Sequence, residues 1–272
     1  MAADIARRSR PAPLLALGQV RYQLLLLLRS PLGFFITLVI PLLLLISLNV
    51  IHPPTAANVP GGLRYAQFLT PAVSAFCLIN ACYVTTVTSM VLAREEGILK
   101  RLRGTPLPAW TYLGGRFGSA LVTSLVSVGI IIATAAAFFH VTIIWRATGY
   151  FAAAAGLGMM CFFLLGVAVT MAVPKTDAAL PVAYGTVLPL AFISDVFFPS
   201  VHAPHWLYDV ASAFPVAPVA RAMEASFKPA THAWPMPASG LLVVLGWSAA
   251  AAAVIALGFR WEPGPIQWRA RR

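Results

Sequence analysis

Six stretches of this 272-residue chain contain no Asp, Glu, Lys or Arg: residues 30 to 63, 65 to 93, 117 to 145, 147 to 174, 178 to 194 and 229 to 259. Their lengths are 34, 29, 29, 28, 17 and 31 residues. A helix crossing a hydrocarbon core of about 30 Å needs about 20 residues, so five runs are long enough outright and the 17-residue run nearly so. Inside lipid every backbone N–H and C=O has to be satisfied within the spanning element, which leaves helices or closed barrels. Barrel strands alternate apolar and polar residues over about ten positions; these runs are too long and too uniformly apolar for that. The expected fold is an all-α polytopic membrane protein with six transmembrane helices, near residues 31–51, 68–92, 115–139, 150–173, 178–198 and 238–259. Charged residues make up 10% of the chain, against about 25% in a soluble domain, which excludes an ordinary water-soluble enzyme.

The net charge of +11 does not point to nucleic acid, because the basic residues sit between apolar runs instead of crowding one solvated face. They sort by side. One side receives Arg7, Arg8, Arg10, Arg21, Arg29, Arg94, Lys100, Arg101, Arg103, Arg116, Lys175, Arg260, Arg269, Arg271 and Arg272, and the other only Arg64, Arg146, Arg221 and Lys228. Lys and Arg concentrate in cytoplasmic loops, so both termini are expected in the cytoplasm and the protein in the plasma (inner) membrane. The first long run follows a basic leader of about thirty residues and exceeds the apolar core of about 7 to 15 residues of a signal peptide, which argues against a cleavable one. Cys77, Cys82 and Cys161 fall in expected spans, where a thiol behaves as a small hydrophobe, and their spacing fits neither a disulfide framework nor a zinc site.

The segments between spans divide the chain into a cytoplasmic leader with an interfacial helix (1–30), a six-span membrane domain (31–260) and a basic cytoplasmic tail (261–272). Residues 13–29 are leucine-rich and flanked by Arg21 and Arg29, too short to span, and end at Ser30-Pro31, a helix-start signal. They read as an amphipathic helix in the cytoplasmic interface. The loop 93–114 contains Glu96 and Lys100, spaced i,i+4 with the acid first, while Ile98, Leu99 and Leu102 share another face, and Gly104 with Pro106 is a stop. A short helix over 94–104 is expected, suited to a protein partner that covers its apolar strip; composition alone serves a solvated positive loop equally well. Between Pro199 and Pro237, Val201, Trp206, Leu207, Tyr208, Val210 and Phe214 are poor choices for a loop in water, yet Pro199, Pro204, Pro215 and Pro218 break the segment into pieces too short to cross. Two short helices dipping into the outer leaflet are expected over 199–236, covered by the spans or by a second copy.

Catalytic chemistry is missing. No G-x-x-x-x-G-K-[ST] phosphate loop occurs, and Gly114-Gly115-Arg116-Phe117-Gly118-Ser119 lacks the lysine that would reach phosphates. Neither G-x-S-x-G nor H-E-x-x-H is present, so no catalytic residue and no metal site is expected; His202 and His205, i,i+3, are too little for one. Gradient-driven transport needs titratable groups within spans, and only Asp195, near the outer end of the fifth, qualifies, along with Lys175 and Asp177 at the cytoplasmic turn. The two readings of Asp195 are a solvated, ion-paired boundary residue and an attractor for a cationic substrate. Asn49, Asn80 and Tyr83 read as interhelical hydrogen-bond partners before substrate contacts, and Gly114-x-x-x-Gly118 permits close helix approach. A transporter without gradient-coupling residues has to draw its free energy elsewhere, which favours an ATPase partner over the alternatives, a stand-alone secondary transporter or channel, or an intramembrane enzyme.

The run Glu95-Glu96-Gly97-Ile98-Leu99-Lys100-Arg101-Leu102-Arg103-Gly104-Thr105-Pro106-Leu107 resembles the acidic-x-Gly-Thr/Ile-Leu-Lys-Arg-Leu-Arg-x-Thr-Pro signature of type-2 ABC transporter permeases, the membrane subunits of drug, polyketide and polysaccharide exporters. Phe197-Phe198-Pro199, then Pro204-x-Trp206-Leu207 and Phe214-Pro215 ahead of Arg221, is similar to that family's stretch after the fifth span. The resemblance covers about residues 14 to 260. It implies a subunit that pairs with a second permease copy, identical or a sister, and with two copies of a cytoplasmic ATP-binding subunit, which would hold ATP and Mg; this chain holds no cofactor. It implies an exporter of a drug, antibiotic, lipid or glycan-like compound. Arg94, Glu95, Glu96, Gly97, Leu99, Lys100, Arg101, Leu102 and Arg103 would couple to the ATPase subunit, and Asp195, Phe197, Phe198 and Pro199 would form an outer gate. Asp195 stands where the family more often has Gly, so a purely apolar gate does not follow.

Overall fold

A computed structural model describes residues 25, 31–51, 64–98, 101, 109–194, 205–228 and 234–258, and every described element is helical. In chain order they are α1 (Pro31–Ile51), α2 (Tyr65–Glu95), α3 (Ala109–Phe139), α4 (Thr148–Thr170), α5 (Thr176–Ile193), α6 (His205–Ser212), α7 (Val216–Ala225) and α8 (Ala238–Gly258). Five of these, α2, α3, α4, α5 and α8, are long and apolar enough to cross a membrane. The remaining apolar run folds as α1, a helix of 21 residues.

Two helices overrun the spans expected for them: α2 extends through Arg94 and Glu95, and α3 begins at Ala109 instead of near residue 115. Helical hydrogen bonding is indifferent to polarity, so a helix continues past its apolar stretch until a stop residue ends it. The fifth is shorter than expected, ending at Ile193. The expected interfacial helix at 13–29, apart from Leu25, and the basic tail lie outside the described residues.

The centre of the bundle is α2. All twenty residues from Tyr65 to Val84 are buried, with α1, α3, α4, α5 and α7 packed around them and α8 laid on α4 and α7. Small residues on α4 allow this. A Cβ at Gly158 would lie 2.7 Å from a Val219 methyl on α7, and one at Gly166 would lie 3.2 Å from the Tyr83 carbonyl oxygen on α2. In a bilayer, where apolar surface drives no association between helices, close backbone approach of this kind supplies the packing.

The expected pair of short helices between α5 and α8 is present as α6 and α7, parted by Ala213-Phe214-Pro215. Residues Val216 to Glu224 of α7 are buried, except half-buried Arg221. Arg221 holds α6 on α7, donating to Ser212 Oγ at 2.7 Å and lying 3.8 Å over the Tyr208 ring. The Trp247 indole of α8 donates to the Ala213 carbonyl at 2.9 Å.

At one end of the bundle the Gln67 amide, on the first turn of α2, uses all its capacity. It donates to Thr142 O at 2.8 Å and Phe227 O at 3.0 Å, and accepts from Thr142 N–H at 3.0 Å. The first turn of α2, the α3–α4 connection at Thr142 and the residues just after α7 at Phe227 therefore meet at one end of the bundle.

Candidate functional site

The charged run after α2 is built differently from the expectation of one helix over 94–104. Arg94 and Glu95 are the last turn of α2. Glu96 caps it, its N–H donating to Leu92 O at 2.9 Å, and Gly97 follows at φ +69° with its N–H on Arg94 O at 3.2 Å. This left-handed residue is the usual glycine stop of a helix. Ile98 and Arg101 are helical again, Arg101 N–H returning to Gly97 O at 3.1 Å. The break explains the glycine, and it removes the continuous helix on which Glu96 and Lys100 would be neighbours. Leu99, Lys100, Leu102 and Arg103 lie outside the described residues, as do Asp195, Phe197, Phe198 and Pro199.

A Cβ at Gly97 meets nothing within 4 Å, so Gly97→Ala tests the backbone alone. It should destabilise the protein by about 1–2 kcal/mol, the cost of an L-residue in the left-handed region, measured by thermal unfolding in detergent. An unchanged melting temperature would show that the stop does not depend on glycine.

Arg94 and Glu95 face neighbouring helices. Arg94 donates through Nη1 to Thr170 O at 2.9 Å, on the last residue of α4, and through Nη2 to Val173 O in the turn that follows. Glu95 Oε1 accepts the Thr176 N–H, the first of α5, at 3.0 Å. The turn joining α4 to α5 is thus held by two consecutive side chains of α2.

Halfway along, α2 contains a π-turn over Asn80–Val84, in which the Thr85 N–H bonds to Asn80 O, five residues back. Such single-turn insertions recur at functional positions. Around it α2 and α5 are joined by polar contacts: Tyr184 OH donates to Asn80 Oδ1 at 2.8 Å, and the Tyr83 hydroxyl lies 2.8 Å from Thr186 Oγ1. Asn80 and Tyr83 are therefore interhelical partners, as expected, whereas Asn49 bonds within its own helix, to Leu45 O at 2.8 Å. On the opposite flank, Gly166 lets the π-turn carbonyls of Cys82 and Tyr83 approach α4.

Sequence reading missed Thr170, Val173, Thr176, Tyr184, Thr186, Gln67 and Gly166. A signal existed for three of them, since Gln67, Tyr184 and Thr186 are polar side chains in apolar runs, where such residues seek partners. The carbonyls of Thr170 and Val173 act as backbone and leave no trace in side-chain identity.

No curated protein matches the chain. The family model described as ABC-2 type transporter matches residues 19–227, which takes in α1 to α7 and both the charged junction and the α2–α5 seam. The match takes in more than half of the chain and the whole bundle around the buried α2 apart from α8, and this chain belongs to the ABC-2 type transporter family, the membrane permease components of ABC transporters.

Proposed function

We propose that the chain is the permease subunit of an ATP-driven exporter, moving a hydrophobic or amphipathic compound of drug, antibiotic, lipid or glycan type outward across the plasma membrane. In this reading α1 is the sixth span, since 21 residues measure about 32 Å, the thickness of the hydrocarbon core. Both termini then face the cytoplasm. The α2–α3 connection with Lys100, Arg101 and Arg103 faces the ATP-binding subunits, one for each of two permease copies, identical or sisters. ATP and magnesium belong to those subunits. The α6–α7 pair is the outer re-entrant hairpin, and Asp195, Phe197, Phe198 and Pro199 form the outer gate.

The observation that carries the reading is that α2, whose first twenty residues are all buried, leads directly into the charged junction. A push on that junction reaches the core of the bundle, which is what a two-state transporter biased from one side requires. The exposed side of α5 supports it. Pro181, Gly185, Thr186 and Pro189 are exposed there, and Pro189 has no N–H to offer the Gly185 carbonyl. Unsatisfied backbone is costly against lipid and tolerable against protein or a water-filled path, so this side faces the second copy and the path between the two.

In a complex with its ATP-binding subunit, Glu96→Lys reverses the charge of the residue that caps α2 at the junction. It should lower transport-coupled ATP hydrolysis about tenfold, within the usual range of coupling energies, with membrane insertion intact. Wild-type turnover in that variant refutes the coupling assignment. Uphill efflux of a hydrophobic dye from vesicles holding neither ATP nor a second subunit would instead make the chain a stand-alone secondary transporter or channel.

A further inference from the structure

We infer that Arg94 and Glu95 do not seat the ATPase but act as positioning residues, a clasp through which movement of the charged junction is passed to α5 by way of the α4–α5 turn. The inference rests on the reading that the segment after Gly97 receives the motion of the ATP-binding subunit.

The clasp has an electrostatic logic that neither residue has alone. The last carbonyls of a helix lack intrahelical donors and carry the negative end of its dipole; the first N–H groups lack acceptors and carry the positive end. At the α4–α5 turn a carboxyl end and an amino end lie side by side, only Met171 to Lys175 between them. The cation of α2 goes to the first, with Arg94 on Thr170 O and Val173 O, and the anion goes to the second, with Glu95 on Thr176 N–H. The order Arg-Glu matches the order of the two helix ends.

The clasp also supplies what the turn itself lacks. The residue before α5 is Lys175, which makes no side-chain cap and has no acceptor with which to make one. Its place is taken by a carboxylate 81 positions earlier in sequence. Further along, α5 is joined to α2 by side-chain hydrogen bonds, Asn80 to Tyr184 and Tyr83 to Thr186. The clasp sits next to the left-handed Gly97, where α2 ends and the charged segment leaves. A displacement of that segment therefore reaches the α4–α5 turn before it reaches any other described part of the bundle, and α5, which carries the exposed Gly185-Thr186 side, follows.

Thr176→Pro tests the α5 half of the clasp. It removes the N–H that Glu95 accepts, while proline is favoured at the first position of a helix. Lys175 already has the extended backbone, φ −131° and ψ 153°, that a residue before proline adopts, so α5 is preserved. The readout is the distance between spin labels introduced by Phe138→Cys on α3 and Phe192→Cys on α5, both exposed positions, in the complex with its ATP-binding subunit, with and without ATP and vanadate. The native cysteines Cys77, Cys82 and Cys161 are buried and do not compete for label.

In the unmutated clasp the distance changes with nucleotide. Thr176→Pro and Glu95→Ala should each reduce the nucleotide-shifted population about fivefold or more, the lower end of typical couplings. Because both act on the α5 half of the clasp, the double variant should be no worse than either single one. Glu95→Gln, which keeps an acceptor oxygen, should restore much of the response, which a mere need for bulk at 95 would grant to Glu95→Leu as well. Wild-type nucleotide shifts in Thr176→Pro and Glu95→Ala overturn the clasp while leaving the permease reading in place. A nucleotide shift that is absent even with the clasp intact overturns that reading, and the clasp's role with it.

Discussion

Gly166→Val should lower the thermal stability of the protein. The built Cβ lies 3.2 Å from Tyr83 O, 3.3 Å from Cys82 O and 3.2 Å from Thr86 Cβ. Two of these neighbours are backbone atoms of the π-turn, in the buried stretch of α2, and cannot rotate away as a side chain would. Two further methyls then have to enter the same gap. Overpacking of this kind costs about 1–3 kcal/mol, enough to lower the melting temperature by several degrees, and it should also weaken the Tyr83 and Asn80 contacts with α5 by displacing the π-turn. Gly156 on the same helix is the control, because a Cβ there meets nothing within 4 Å. Gly156→Ala should be neutral or stabilising by up to about 1 kcal/mol through helix propensity. If both variants unfold together with the parent protein, α4 does not press on the π-turn.

Gln67→Leu is the second large effect, and its origin is polar. The substitution roughly conserves volume and raises apolarity within a membrane helix, so a purely hydrophobic account predicts no loss. The amide, however, answers the Thr142 N–H and the carbonyls of Thr142 and Phe227, and leucine leaves these groups without it. Unmade hydrogen bonds at buried groups cost about 1–3 kcal/mol. Gln67→Glu should also destabilise, since a carboxylate accepts from Thr142 N–H but has no hydrogen for the two carbonyls. Thermal unfolding measures both, and proteolysis at the α3–α4 connection should accelerate in step. Parent-like melting of Gln67→Leu would mean that the three connections are held together by packing alone.

The apolar runs and the distribution of Lys and Arg were sufficient to place all five long helices, α1, and the pair α6 and α7, because a backbone in lipid has few options and no water to share with. The charged junction was visible too, in Arg94 to Gly97, though its internal break was not, since a glycine in a helical pattern signals a stop and a tolerated residue alike. Asn80 and Tyr83 were recognisable as polar groups in need of partners, but not that the partners would be Tyr184 and Thr186, about a hundred residues away.

Composition and order along the chain determined that this protein is a helical membrane bundle, and the charged motif after the second apolar run marked its family. Only the tertiary structure decided that α2 is the central helix, that Arg94 and Glu95 grip the α4–α5 turn, and that Gly166 faces the π-turn. In water a buried face is more apolar than an exposed one and the sequence records it. In lipid both faces are apolar, so centrality is decided by small residues and scattered polar contacts between helices distant in sequence.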